Sequence, residues 1–146
     1  MRMKTLGYYN GTYDELENMM VPFDDRVCFF GDGVYDAGPA RNYHLFAIDE
    51  HIDRFFNSAK LMDIEIPCSK EELKELLASL VLKMDTGNNF VYWACTRGTG
   101  IRNHVYKKGP GNLWVMIKPE TLDTCQKPIK CVTQEDKRFF YCNCKT

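Results

Sequence analysis

Two amphipathic helices set back to back, with strand-like segments before and after them, constrain this chain more than any other feature. Asp49 is suited to cap the first helix, and apolar side chains follow at Ile52, Phe55, Phe56, Ala59 and Met62. That spacing lays one stripe along a helix. Pro67 interrupts the pattern, and Ser69-x-x-Glu72 then reads as a capping box, with side chain and backbone satisfying each other at the helix start. Leu73, Leu76, Leu77, Leu80, Val81 and Met84 form the second stripe, ended by Gly87-Asn88-Asn89. Each helix has a single face to bury, so the flanking segments must supply a sheet to receive it.

Strand-like segments stand on both sides of the helices. Lys4 to Tyr9 reads as a short strand broken by Asn10-Gly11, the strongest two-residue hairpin signal. Val21 to Phe30 begins with turn formers and becomes apolar. Gly31-Asp32-Gly33 makes a tight turn, Val34 to Ala40 is a strand, and Asn42 turns it back into Tyr43–Phe46. After the helices, strands are predicted at Phe90–Arg97, Leu113–Lys118 and Ile129–Thr133, with a last one at Phe139–Lys145. The glycines, proline and lysines of Tyr106 to Asn112 mark a loop. Strands, two helices, then strands predict an α+β fold, an antiparallel sheet with two helices packed on one face. The 146 residues are expected to form one domain.

Composition narrows the function. Apolar residues are 45% of the chain and charged ones 27%, which excludes a disordered chain. The 19 basic and 20 acidic residues are spread evenly, net charge −1, so no basic stripe serves nucleic acid or a membrane surface. No apolar stretch is long enough to cross a bilayer, and the N-terminus lacks the apolar core of a secretory signal. Cys28, Cys68, Cys95, Cys125, Cys131, Cys142 and Cys144 are odd in number and form no CxxC pair. They read as free thiols of a reducing compartment, the cytoplasm, with no metal site expected. Cys142-x-Cys144 alternates as core residues of a strand do, and Asn10-Gly11-Thr12 is a turn.

Three places carry candidate chemistry. Arg54 falls nearly opposite the Ile52–Phe55–Phe56 stripe, either as a solvated arginine or as a guanidinium facing a cleft, where it suits a phosphate. Arg102 and His104 lie two apart after the turn-rich Thr96-Arg97-Gly98-Thr99-Gly100. They are two exposed loop residues or a joint carboxylate clamp. Lys145 is a solvated lysine near the chain end, unless a depressed pKa or a carbonyl cofactor makes its amine reactive. Gly31-Asp32-Gly33 lacks the third glycine and following helix of a dinucleotide loop.

The order of these residues is informative. Asp25-Arg26, Phe30-Gly31-Asp32-Gly33-Val34-Tyr35, Glu50-His51-Ile52-Asp53-Arg54, Thr96-Arg97-Gly98 and Arg102-x-His104 follow one another. Glu135-Asp136-x-Arg138 and Cys142-x-x-Lys145-Thr146 complete the series. Together they resemble the N-terminal half of class IV (fold-type IV) pyridoxal-phosphate aminotransferases, nearest the D-amino acid (D-alanine) branch. The resemblance implies that Lys145 binds the cofactor covalently and moves the substrate Cα proton. It implies that Arg54 binds the cofactor phosphate, and that Tyr35, Arg102 and His104 hold the substrate carboxylate. The Arg and His come from the neighbouring subunit in that branch, so a homodimer is implied. The reaction implied is amino-group transfer from an amino acid to a 2-oxo acid.

Asp36 stands where the family often has glutamate, and Phe139 where it often has tryptophan. The family's second domain, which supplies the acidic partner of the pyridine nitrogen and most of the phosphate-binding backbone, has no counterpart in these residues. Two alternatives stand beside transamination: an aminodeoxychorismate lyase-like enzyme, against which Arg102-x-His104 argues, and a non-catalytic binding or assembly domain keeping the fold.

Overall fold

In a computed structural model, which describes residues 2–121, 128–137 and 140, the chain begins with a hairpin. Strands β1 (Leu6–Tyr9) and β2 (Thr12–Asp14) are joined by Asn10 and Gly11, both at positive φ, 43° and 98°. Positive φ at both positions is what a twist-matched two-residue hairpin requires. A 3-10 turn at Leu16–Asn18 leads to α1 (Arg26–Phe30), β3 (Gly33–Arg41) and β4 (His44–Leu45). Helices α2 (Ile48–Leu61) and α3 (Lys70–Val81) follow, then β5 (Asn89–Thr96) and β6 (Asn112–Pro119). The strands form one antiparallel sheet in the order β2-β1-β6-β5-β3-β4.

Alternation along the central strands sorts the core from the open face. Val34, Asp36 and Ala40 of β3 share a face with Val91, Trp93 and Cys95 of β5 and with Leu113, Val115 and Ile117 of β6. All of these are buried. Phe55 packs edge-on against Trp93 with ring centroids 6.4 Å apart, so α2 lies on this face. Leu73, Leu77, Leu80 and Val81 of α3 join the same cluster. The opposite face carries an aromatic row: Tyr35 stacks on Tyr92 at 5.3 Å, and Tyr92 tilts against Trp114 at 5.4 Å.

Several expectations hold. The α+β class, the antiparallel sheet and the two helices on one face are present. The capping box is complete, with Glu72 N–H donating to Ser69 Oγ and Ser69 N–H to Glu72 Oε2. Asn42 does turn the chain, sharing positive φ with Tyr43 between paired Arg41 and His44.

Other expectations are corrected. Asp49 does not cap α2: the helix starts two residues earlier, Ala47 at φ 46° holds the cap position, and Asp49 sits in the first turn. An acid there still complements the helix dipole. Met62 is exposed rather than part of the stripe, because the helix ends at Leu61 and the chain turns away at Asp63, φ 53°. Helix α3 stops at Val81, well before Gly87, yet Met84 is buried because Lys83 and Asp85 hydrogen-bond to Met3 and hold the segment against the core. Ile129–Thr133 is not a strand; Ile129 and Val132 are exposed, and no strand among the described residues pairs with them. A strand needs a neighbour for its backbone groups, which local apolar content does not provide. The expected strand at Phe139–Lys145 lies largely outside the described residues.

Candidate active site

The site is built around a carboxylate at an inward position of β3. Asp36 is 2% exposed among Val34, Gly38 and Ala40, where an unpaired charge would be costly. Helix α2 supplies its partners. Arg54 donates from Nε to Oδ2 at 2.7 Å and from Nη2 to Oδ1 at 2.6 Å, a two-point fork. His51, one turn earlier, places Nδ1 2.9 Å from Oδ1, and the Ala37 amide donates to the same oxygen. The imidazole closes against Gly38, where any Cβ would lie 3.0 Å from Nε2. Burial pushes the Asp36 carboxyl up, but the bonds from Arg54, His51 and Ala37 outweigh it and hold it below the ordinary 3.8.

Arg54 is therefore neither a loose surface arginine nor a buried one. Its side chain is 66% exposed while its inner edge is fixed to Asp36. Among the described residues no hydrogen bond uses Nη1. Tyr35, Asp36, Ala37, Arg54 and Ser58 line a shallow cleft of about 300 Å³. The structure thus brings predicted Tyr35 and Arg54 together. A fixed guanidinium with an open donor edge beside a phenol fits the phosphate of pyridoxal phosphate.

Arg102 and His104 do not line this cleft. Both project from the exposed β5–β6 loop and converge on Phe30, the last residue of α1. The Arg102 guanidinium lies 5.2 Å from its ring centroid and the His104 ring 5.6 Å. The two side chains thus share one aromatic neighbour, apart from the cleft that holds Arg54. Lys145 lies outside the described residues, as do Arg138, Cys142 and Cys144. A larger groove of about 600 Å³, lined by Tyr8, Cys68, Glu72 and Asn112 among others, holds none of the predicted site residues. No group of three or more acidic, His or Cys residues among those described is placed to hold a metal. No helix of the described chain is long and apolar enough to cross a membrane.

Residue-by-residue reading missed the partners. Asp36 carried a usable signal, an acid at an inward position of an alternating strand. Asp25, Arg26 and Asp32 also stand out once the structure is known, because the first two are buried and all three tie α1 and β3 to the β5–β6 loop.

Comparison with known proteins gives the family and the fold. The family described as amino-transferase class IV matches residues 33–146. The D-alanine aminotransferase of Listeria monocytogenes (strain 10403S) is 37% identical over 138 residues, 90% of this chain and 48% of the relative. That of Bacillus licheniformis is 34% identical over 149 residues, 99% of this chain and 51% of the relative. The chain thus spans about half the length of the curated relatives it matches. Among solved structures, the fold is shared with the branched-chain amino acid aminotransferase of Escherichia coli (TM-score 0.71, 18% identity, 80% of this chain and 41% of that one). It is shared equally with a T.th. branched-chain amino acid aminotransferase complexed with N-(5'-phosphopyridoxyl)-L-glutamate (TM-score 0.71, 22% identity, 79% and 40%). With its fold, its ordered motifs and this match over most of its length, the chain belongs to the class IV aminotransferase family.

Proposed function

We propose that this chain is the N-terminal half of a pyridoxal-phosphate-dependent transaminase that moves an amino group between a D-amino acid and a 2-oxo acid. The observation that carries the reading is the Asp36–Arg54 fork, which fixes an exposed guanidinium beside Tyr35 in one cleft. The D-alanine aminotransferase relatives support the D-branch. When bound, pyridoxal phosphate supplies the electron sink that lowers the barrier to losing the substrate Cα proton. Arg54 holds its phosphate, and the Lys145 amine carries the Cα proton. Tyr35, Arg102 and His104 hold the substrate carboxylate, the last two reaching a neighbouring subunit's site in a cytoplasmic homodimer.

The test is the full-length protein loaded with pyridoxal phosphate and given D- or L-alanine with 2-oxoglutarate. Pyruvate formed from D-alanine at least about tenfold faster than from L-alanine is the expected result, a discrimination worth about 1.4 kcal/mol. Equal rates would sink the D-preference. No pyruvate from either, with D-aspartate plus 2-oxoglutarate and D-glutamate plus pyruvate also giving no product, would sink transamination.

A further inference from the structure

The β5–β6 loop, residues 97–111, is exposed at its apex yet fastened along its length. Asp25, fully buried, accepts at Oδ2 from Thr96 Oγ1 and from Asn112 Nδ2, both at 2.8 Å. These are the last residue of β5 and the first of β6, so one carboxylate closes both stems of the loop. Above the stems, Asp32 receives two arginines. Arg26 Nε donates at 2.8 Å and Arg97 Nε at 2.9 Å, and all three side chains are about nine-tenths buried. Two cations on one buried anion leave an excess charge that needs further acceptors. Backbone carbonyls supply them. Arg26 Nη1 donates to Asn103 O, beside Arg102 and His104, while Arg97 Nη1 and Nη2 donate to Asp63 O and Met62 O at the C-terminal end of α2.

Tyr106 seals the arrangement. Its ring lies 3.9 Å from the Arg97 guanidinium, and its hydroxyl donates to Asp63 Oδ2 at 2.9 Å. Arg97 is thereby occupied on every edge and one face, which leaves Arg102 as the guanidinium of this loop with no hydrogen bond among the described residues. The clasp also joins α2, the helix carrying Arg54, to the loop carrying Arg102 and His104.

We propose that Arg26, Asp32, Arg97 and Tyr106 are positioning residues that hold Arg102 and His104 in the geometry that captures the substrate carboxylate. The inference rests on the transaminase reading above. One guanidinium bond holds the loop backbone at Asn103, and two more tie Arg97, at the start of the loop, to the end of α2. Preorganisation of this kind raises affinity by lowering the ordering cost of binding.

The test uses the full-length holoenzyme. Tyr106→Ala, at a partly buried ring, and Arg97→Lys are compared with Tyr106→Phe, which keeps the stack on Arg97. Tyr106→Ala and Arg97→Lys should raise KM for the amino acid about tenfold or more, because misplacement of a binding group by an ångström is that costly. Pyridoxal phosphate affinity should stay within about twofold, and Tyr106→Phe should recover most of the wild-type KM. Amide hydrogen exchange across residues 99–105 should speed up in the first two variants and not in the third. Unchanged KM in a folded, cofactor-loaded Tyr106→Ala enzyme would overturn the clasp, and so would parallel losses of kcat, KM and cofactor affinity, the mark of a structural role alone. A wild-type holoenzyme inert toward every amino acid would instead defeat the transaminase reading on which the clasp rests.

Discussion

Arg54 and Asp36 meet through two parallel hydrogen bonds, 2.7 and 2.6 Å long, that join an exposed guanidinium on α2 to a buried carboxylate on β3. The buried acid fixes the direction of the arginine, and the arginine keeps the acid ionised inside the core.

Replacing Asp36 by Asn removes the ionised acceptor while keeping the shape. Loss of a charge-assisted hydrogen bond at a buried acceptor costs about 1–3 kcal/mol, to be read as a lower urea midpoint at neutral pH. The pH dependence carries a sign. The folded-state value of Asp36 lies below the ordinary 3.8, so its contribution is fully present above about pH 4 and is lost as pH falls through the depressed value. Wild type should therefore destabilise more steeply than Asp36→Asn below pH 4, and equal slopes would contradict the assignment.

Phe55 is fully buried between Trp93 and Phe56. Phe55→Ala removes a whole ring from the helix–sheet seam and should cost about 3–5 kcal/mol, measured by thermal or urea unfolding. A loss under about 1 kcal/mol would mean that α2 does not seat on the sheet through this residue.

How much of this was legible beforehand follows from how local each feature is. The α2 and α3 stripes and the Ser69–Glu72 box are written in adjacent turns, so spacing revealed them. Helix α1 spans only Arg26–Phe30, too short for periodicity, and is held by its Asp25 cap and its links to the loop. Ile129–Thr133 had strand composition without a partner among the described strands. At the site, Arg54 was readable as an arginine off its own core, but its tie to Asp36 joins positions 18 apart, and the Asp32–Arg97 bond joins positions 65 apart. Such pairs exist only after β3, α2 and β5 have packed, and residue types in sequence do not reveal which charges meet.

Gly111 lies at the second stem of the β5–β6 loop, where a Cβ would collide with the Thr96 carbonyl and the Cys95 sulfur. Gly111→Ala must shift a backbone strand end rather than a flexible tip. Overpacking of this kind costs about 1–3 kcal/mol, and it should also raise protease cutting between residues 99 and 110. Gly100→Ala, which meets nothing within 4 Å, should change neither stability nor cutting.

The described cysteines differ sharply in access. Burial pushes the Cys95 thiol up to about 12, with Cys68 and Asp25 adding to it, whereas Cys28 and Cys131 are exposed. Only the thiolate alkylates readily. Brief iodoacetamide treatment at pH 8 should label Cys28 and Cys131 and leave Cys95 intact by peptide mass. Labelling of Cys95 at comparable rate would contradict its burial.

The central claim is that this chain carries the lysine and the arginine of a pyridoxal-phosphate site. Its most direct test is borohydride reduction of the full-length protein incubated with pyridoxal phosphate, followed by peptide mass spectrometry. A single phosphopyridoxyl adduct on Lys145, with cofactor binding weakened by Arg54→Gln, is the predicted result. An adduct on other lysines, or none on Lys145 in the folded protein, would contradict it.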